Sequence, residues 1–176
     1  GGRLKHVQFD FDLNTGFSLD INKIISATTP KTRAIYINSP GNPTGWVMPR
    51  NDMVQLLSFA RERGLWLISD EVYNHFTFDR PIADSFLEIS EPTDRLIVSN
   101  TFSKNWCMTG WRIGWIIFPK GMEVIFDNLG QYNTTSVSTF LQHGAIKALD
   151  DGDQFVKDFV KRSKIGRDII CSALER

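Results

Sequence analysis

Three short apolar runs, Ala34 to Asn38, Leu65 to Ser69 and Leu96 to Asn100, constrain this chain most. Each is too short for a helix and is bounded by polar or turn-forming residues, the pattern of a strand buried on both faces. Amphipathic stretches lie between them. The clearest carries Met53, Leu56, Leu57 and Ala60 at helical spacing and stops at Gly64, where a left-handed C-terminal cap belongs. Strands alternating with helices imply an α/β fold of three layers, α/β/α, around a mostly parallel sheet.

The remaining stretches extend this pattern. Val7, Phe9 and Phe11 alternate with polar residues and predict an extended segment from Val7 to Asp12. Asp20 is placed to cap a short helix bearing Ile21, Ile24 and Ile25, with Pro30 beyond its end. A fourth apolar run, Trp111 to Phe118, follows the third too closely for a helical crossover of about a dozen residues. It is therefore expected to be the one antiparallel strand of the sheet. Further helices are expected at Met122 to Leu129, Ser138 to Leu149, and from about Asp153 to the end of the chain, with Tyr132-Asn133-Thr134-Thr135 as a polar loop.

Composition narrows the function classes. Lys and Arg number 20 and Asp and Glu number 20, so no net basic charge argues for nucleic acid or a membrane surface. No apolar run approaches the ~20 residues of a membrane-spanning helix. Cys107 and Cys171 show neither metal-ligand spacing nor a disulfide framework, which makes a reducing, cytoplasmic setting the expectation.

The chemistry-bearing residues gather at predicted strand ends, where open α/β sheets collect ligands. Ser39-Pro40-Gly41-Asn42-Pro43-Thr44-Gly45 follows the first run, Asp70-Glu71-Val72-Tyr73 the second, and Thr101-Phe102-Ser103-Lys104 the third. Taken singly, each has a plain reading: Asn42-Pro43 as a turn, Asp70 as a helix cap, Tyr73 as a packing residue, Lys104 as a solvated lysine on a tight loop. Together they suit one task. The Lys104 amine can form a Schiff base with a phosphorylated aldehyde, and Asp70 can pair with a protonated ring nitrogen. Tyr73 and Asn42 can hydrogen-bond a ring oxygen. Arg112, with Thr101 and Ser103, can bind a phosphate dianion, for which the arginine fork is better shaped than a lysine. His6, His75 and His143 are scattered and carry no expected catalytic role, and the tryptophans are expected to pack.

Ser-Pro-Gly-Asn-Pro-Thr-Gly at 39–45, Asp-Glu-Val-Tyr at 70–73, and Ser-Lys followed by Thr-Gly-Trp-Arg-Ile-Gly within 103–114 resemble the class I/II aminotransferases of the aspartate aminotransferase fold. The resemblance implies pyridoxal 5'-phosphate as cofactor, Lys104, Asp70 and Tyr73 as catalytic residues, and Asn42, Asp70, Tyr73, Thr101, Ser103, Lys104 and Arg112 as cofactor-binding residues. Thr101 stands where the family usually has serine, and the hydroxyl is kept. An amino acid and a 2-oxo acid are the implied substrates, and a homodimer the implied assembly of the full-length protein.

The same resemblance marks residues 1–152 as part of the cofactor-binding large domain and 153–176 as a connector helix towards a small domain. The expectation is a partial chain, poorly active alone, without the upstream segment that completes the phosphate cup and without the small domain that grips the substrate carboxylate. Two other functions share the motifs. One is a carbon–sulfur lyase of the same fold, and the other is a cofactor-binding sensor module of a regulatory protein.

Overall fold

The runs ending at Asn38, Ser69 and Asn100 do form strands in a computed structural model of the chain, which describes residues 2–174. In chain order the elements are β1 (Asp10–Asp12), β2 (Gly16–Ser18), α1 (Ile21–Ala27), β3 (Ala34–Asn38), α2 (Arg50–Arg63), β4 (Trp66–Asp70), β5 (Leu96–Thr101), α3 (Phe102–Asn105), β6 (Gly114–Ile117), α4 (Glu123–Asn133), α5 (Thr139–Asp151) and α6 (Asp153–Leu174). Short 3-10 turns occupy Phe86–Glu88 and Thr109–Trp111.

The chain resolves into two compact units. One takes the described residues of 1–71 with 84–99 and 116–120; the other takes 72–83, 100–115 and the described residues of 121–176.

The first unit is built on the sheet, whose order is β3-β4-β5-β6. β3 pairs parallel with β4, with Asn38 opposite Asp70, and β4 pairs parallel with β5, with Asp70 opposite Ser99. α2 is the expected amphipathic helix: Met53, Leu56, Leu57 and Ala60 are all buried. They join Ile35, Ile37, Leu67, Leu96 and Val98 from the strands and Ile21 and Ile24 from α1 in one core. Burying side chains of this size stabilises by roughly 1.5–3 kcal/mol each. Gly64 closes α2 at φ 61°, ψ 32°, a left-handed conformation in which a glycine has no Cβ to clash. Asp20 caps α1 as its sequence predicts, accepting from the Asn22 amide at 2.8 Å.

In the second unit Phe102, Ile113 and Ala145 form a smaller core, with Trp106, Met108, Trp115, Val137 and Ala148 packed on it. Phe102 meets Trp106 and Trp115 at ring separations of 5.0 and 5.1 Å, so these two tryptophans pack as expected.

Four expectations need correction. The Val7 to Asp12 segment pairs only over Asp10–Asp12, and its partner is β2, which the sequence reading did not foresee. The run expected to be strand from Trp111 starts as strand only at Gly114, because Thr109–Trp111 turns as a 3-10 helix. Tyr132 and Asn133, expected in a loop, are the last residues of α4. Lys104, expected on a loop, sits in the single helical turn α3. The last two positions of the expected terminal helix, 175 and 176, lie outside the described residues.

Candidate active site

Asn42 and Asp70 fall in the first unit, and the sequence of β3 and its following loop ties them together. The Asn38 side chain donates to the Asp70 carbonyl at 3.1 Å and accepts from the Asn42 amide at 3.1 Å. The Ser39 amide donates to the same Asp70 carbonyl, and the Ser39 hydroxyl accepts from the Met48 amide at 2.8 Å. A loop rich in proline has few amide donors, and these bonds fix it to the end of β4. Both Ser39-Pro40 and Asn42-Pro43 are cis.

The Asp70 side chain has a partner that the sequence reading missed. The Tyr36 hydroxyl donates to Asp70 Oδ2 at 2.7 Å. Burial, then the hydrogen bond and charge of Asp70, push the Tyr36 phenol up to about 12, so it remains a neutral donor at ordinary pH. The pairing follows from register. Tyr36 stands opposite Ile68, two residues before the Asn38–Asp70 pair, so Tyr36 and Asp70 are diagonal neighbours on one sheet face. Alternation in two parallel strands of known register would have found it, but register is not readable from the sequence.

Glu71, next along the chain, is only 4% exposed. It accepts from the Ser69 hydroxyl at 2.9 Å and the Phe86 amide at 3.2 Å. Burial raises its carboxyl above the usual range, against the lowering effect of these bonds. Glu71 thus anchors the turn at Phe86–Glu88 and serves the fold.

Tyr73, Thr101, Ser103, Lys104 and Arg112 fall in the second unit. Thr101 caps α3: its hydroxyl accepts from the Ser103 amide and donates to the Ile113 carbonyl, both at 3.1 Å. That explains why a threonine serves here, since the residue ends a strand, where a β-branched side chain fits, and starts a helical turn. Lys104 is held on this turn with its ammonium 5.3 Å from the centre of the Tyr73 ring, within cation–π range. The residue after each is paired as well, Asn105 Nδ2 donating to Asn74 Oδ1 at 2.8 Å. Asn105 is 1% exposed, so this bond clips two chain segments together from within. Asn74 and Asn105, like Tyr36, escaped sequence reasoning because an asparagine beside a motif residue reads as an ordinary turn residue.

Arg112 adopts the left-handed region at φ 54°, ψ 42°, and its guanidinium donates to the Thr109 carbonyl at 3.0 Å. The structure therefore presents the arginine on a tight turn and does not bring it onto Thr101 or Ser103. Gly114, two residues on, passes so near the preceding strand that a Cβ there would stand 2.6 Å from the Asn100 carbonyl oxygen. His75 packs edge-on to Trp106 at 6.2 Å, and burial holds its imidazole below the usual range despite Asp153.

The first unit offers a hydrogen-bonded carboxylate and an asparagine amide, groups suited to the nitrogen and oxygen of a heterocycle. The second offers a phenol, a primary amine, hydroxyls and a guanidinium, groups suited to an aldehyde and a phosphate.

The family described as aminotransferase class I and II matches residues 2–176. The probable aspartate aminotransferase of Methanocaldococcus jannaschii is 34% identical over 99% of this chain and 46% of its own length. The aromatic-amino-acid aminotransferase 2 of Thermococcus litoralis is 39% identical over 77% of this chain and 35% of its own length. Among solved structures, the N-succinyldiaminopimelate aminotransferase of Mycobacterium tuberculosis superposes with a TM-score of 0.87 at 30% identity, covering 95% of this chain and 43% of that one. An aromatic aminotransferase from Pyrococcus horikoshii gives 0.83 at 36% identity, over 90% of this chain and 43% of that one. The chain spans less than half the length of these relatives.

Proposed function

The chain belongs to the class I and II aminotransferases, a pyridoxal-phosphate-dependent family, and on that footing we propose that its protein moves an amino group between an amino acid and a 2-oxo acid. The observation that carries the reading is Lys104, a primary amine held on a capped helical turn against the Tyr73 ring, within one of the motifs by which the sequence resembles that family.

Asp70 would hold the ring nitrogen protonated, Asn42 and Tyr73 would take the ring oxygen, and Thr101, Ser103 and Arg112 would receive the phosphate. Bound in this way, the cofactor supplies an electron sink for the carbanion left when the substrate Cα loses its proton. The residues of the chain do the rest. Lys104 would hold the cofactor covalently, and its free amine would carry the proton to and from the substrate Cα. To accept that proton the Lys104 amine must be neutral. Thr101 also uses its hydroxyl to cap α3, fixing the turn that presents Ser103 and Lys104, and would turn its O–H from the Ile113 carbonyl to the phosphate. Arg112 would turn from the Thr109 carbonyl to the phosphate, exchanging one neutral acceptor for a charged one.

A homodimer, a cytoplasmic setting, and α6 as the connector towards a small domain complete the proposal. The relatives named above support amino-group transfer over the lyase and sensor readings. The test is a screen of amino donors against the intact native protein, following cofactor absorbance and identifying products. Formation of a new amino acid from an added 2-oxo acid supports the proposal. Elimination of a thiol with release of ammonia, and no amino acid formed, would replace it with a lyase.

A further inference from the structure

We propose that Tyr36 is a positioning residue for Asp70, its hydroxyl fixing one carboxylate oxygen and moderating the negative charge that Asp70 offers to a ligand's ring nitrogen. The inference rests on the reading of Asp70 as partner of that nitrogen, and it adds a residue outside all three sequence motifs.

The geometry is specific. A donor–acceptor distance of 2.7 Å is a short hydroxyl–carboxylate bond, of the kind strengthened by the acceptor's charge. It spans neighbouring strands, so it is set by the register of β3 against β4 and not by a flexible loop. The backbone of Asp70 is held independently, its carbonyl accepting from Asn38 and Ser39. With the main chain fixed from one side and Oδ2 from the other, the carboxylate keeps few rotational options. An ionised carboxylate has about four acceptor sites, of which the phenol takes one.

Hydrogen bonding also withdraws charge. A carboxylate that shares its charge with a phenol attracts a nearby cation less strongly than a bare one. Tyr36 suits the task because its phenol keeps its proton far above ordinary pH.

The experiment uses the intact native protein loaded with pyridoxal 5'-phosphate, in three forms: unaltered, Tyr36→Phe and Asp70→Asn. The readout is the pH at which the ring nitrogen of the bound cofactor loses its proton, followed by the nitrogen resonance of isotope-labelled cofactor, together with the affinity of the apoprotein for the cofactor. Tyr36→Phe leaves Asp70 with more of its charge, so the midpoint should rise, on the order of half a pH unit for one neutral hydrogen bond. Asp70→Asn removes the charge, so the midpoint should fall and cofactor affinity should drop. Opposite shifts support the inference, since a merely structural tyrosine would not move the midpoint in that sense. A lowered midpoint in Asp70→Asn with no change in Tyr36→Phe would overturn the role of Tyr36 and leave that of Asp70 standing. No change in midpoint or affinity for Asp70→Asn would overturn the reading of Asp70 itself, and the inference with it.

A second measurement needs no variant. Pairing Asp70 with a cationic ring should lower the pH at which Tyr36 ionises, so a labelled Tyr36 should titrate earlier in the loaded protein than in the apoprotein. Identical titration in both would contradict the coupling.

Discussion

Lys104 Nζ stands 5.3 Å from the centre of the Tyr73 ring, two residues that lie 31 positions apart in the chain. The ring gives the ammonium an apolar, electron-rich face, and the phenol oxygen is a separate group that can act on a ligand. The two roles separate by substitution. Tyr73→Phe keeps the face and removes the hydroxyl, so cofactor affinity should fall by about three- to tenfold, the worth of one net hydrogen bond. Cofactor titration of the apoprotein checks this, and unchanged affinity would deny the hydroxyl its role.

Gly114 should tolerate no side chain. Its Cβ would meet the Asn100 carbonyl at 2.6 Å, a main-chain atom that cannot swing aside. Gly114→Ala should destabilise by about 1–3 kcal/mol, as overpacking does, and shift the turn that carries Arg112. Gly130 in α4 and Gly166 in α6 would place a Cβ in open space. Alanine at either should be neutral or stabilising by up to about 1 kcal/mol. Thermal unfolding of the three variants compares them directly.

Arg112 combines a left-handed backbone with a charged head, and the two can be tested apart. Arg112→Gly relieves the backbone, where a non-glycine residue costs on the order of 1 kcal/mol, yet removes the guanidinium. Its expected signature is a fold at least as stable with phosphate-dependent cofactor affinity lost. Arg112→Lys should recover only part of that affinity, because a point charge does not reproduce the fork. Full affinity in Arg112→Gly would remove Arg112 from the site.

Glu71 sets a pH dependence whose sign follows from its burial. Burial raises its carboxyl above the usual carboxylate range in the fold, so its contribution to stability is fully present at acid pH, below that range. The contribution is lost as pH rises through the folded value. Glu71→Gln should therefore flatten the stability curve in that range and leave the protein at least as stable at neutral pH, since the amide oxygen can still accept from Ser69 and Phe86. Glu71→Leu abandons both donors and should cost about 1–3 kcal/mol. Chemical denaturation across pH reads both effects.

Much of this was legible because it is local. The apolar spacing of Met53, Leu56, Leu57 and Ala60 marked the buried face of α2, and Gly64 marked its end. Asp20 read correctly as a cap because capping joins residues two apart. What escaped depends on pairing between distant segments. The hairpin partner β2 is three residues long, too short to show a period, and the Tyr36–Asp70 bond exists only once β3 and β4 are in register. Lys104 and Tyr132 read as loop residues in the sequence because hydroxyls and polar clusters favour turns, whereas in the fold Thr101 uses its hydroxyl to start a helical turn and Tyr132 lies in α4. The residues expected to bind the cofactor stand in motifs, whose chemistry can be matched to a ligand without any knowledge of distance.

The central claim is that Lys104 carries the chemistry. The direct measurement is the Lys104→Ala variant of the intact native protein, with cofactor absorbance, transamination and circular dichroism recorded together. The account predicts a folded protein that has lost both the lysine-linked absorbance and turnover, because the amine is absent while the Thr101 cap and the Asn74–Asn105 clip remain. A Lys104→Ala protein that kept the absorbance and the activity would contradict it.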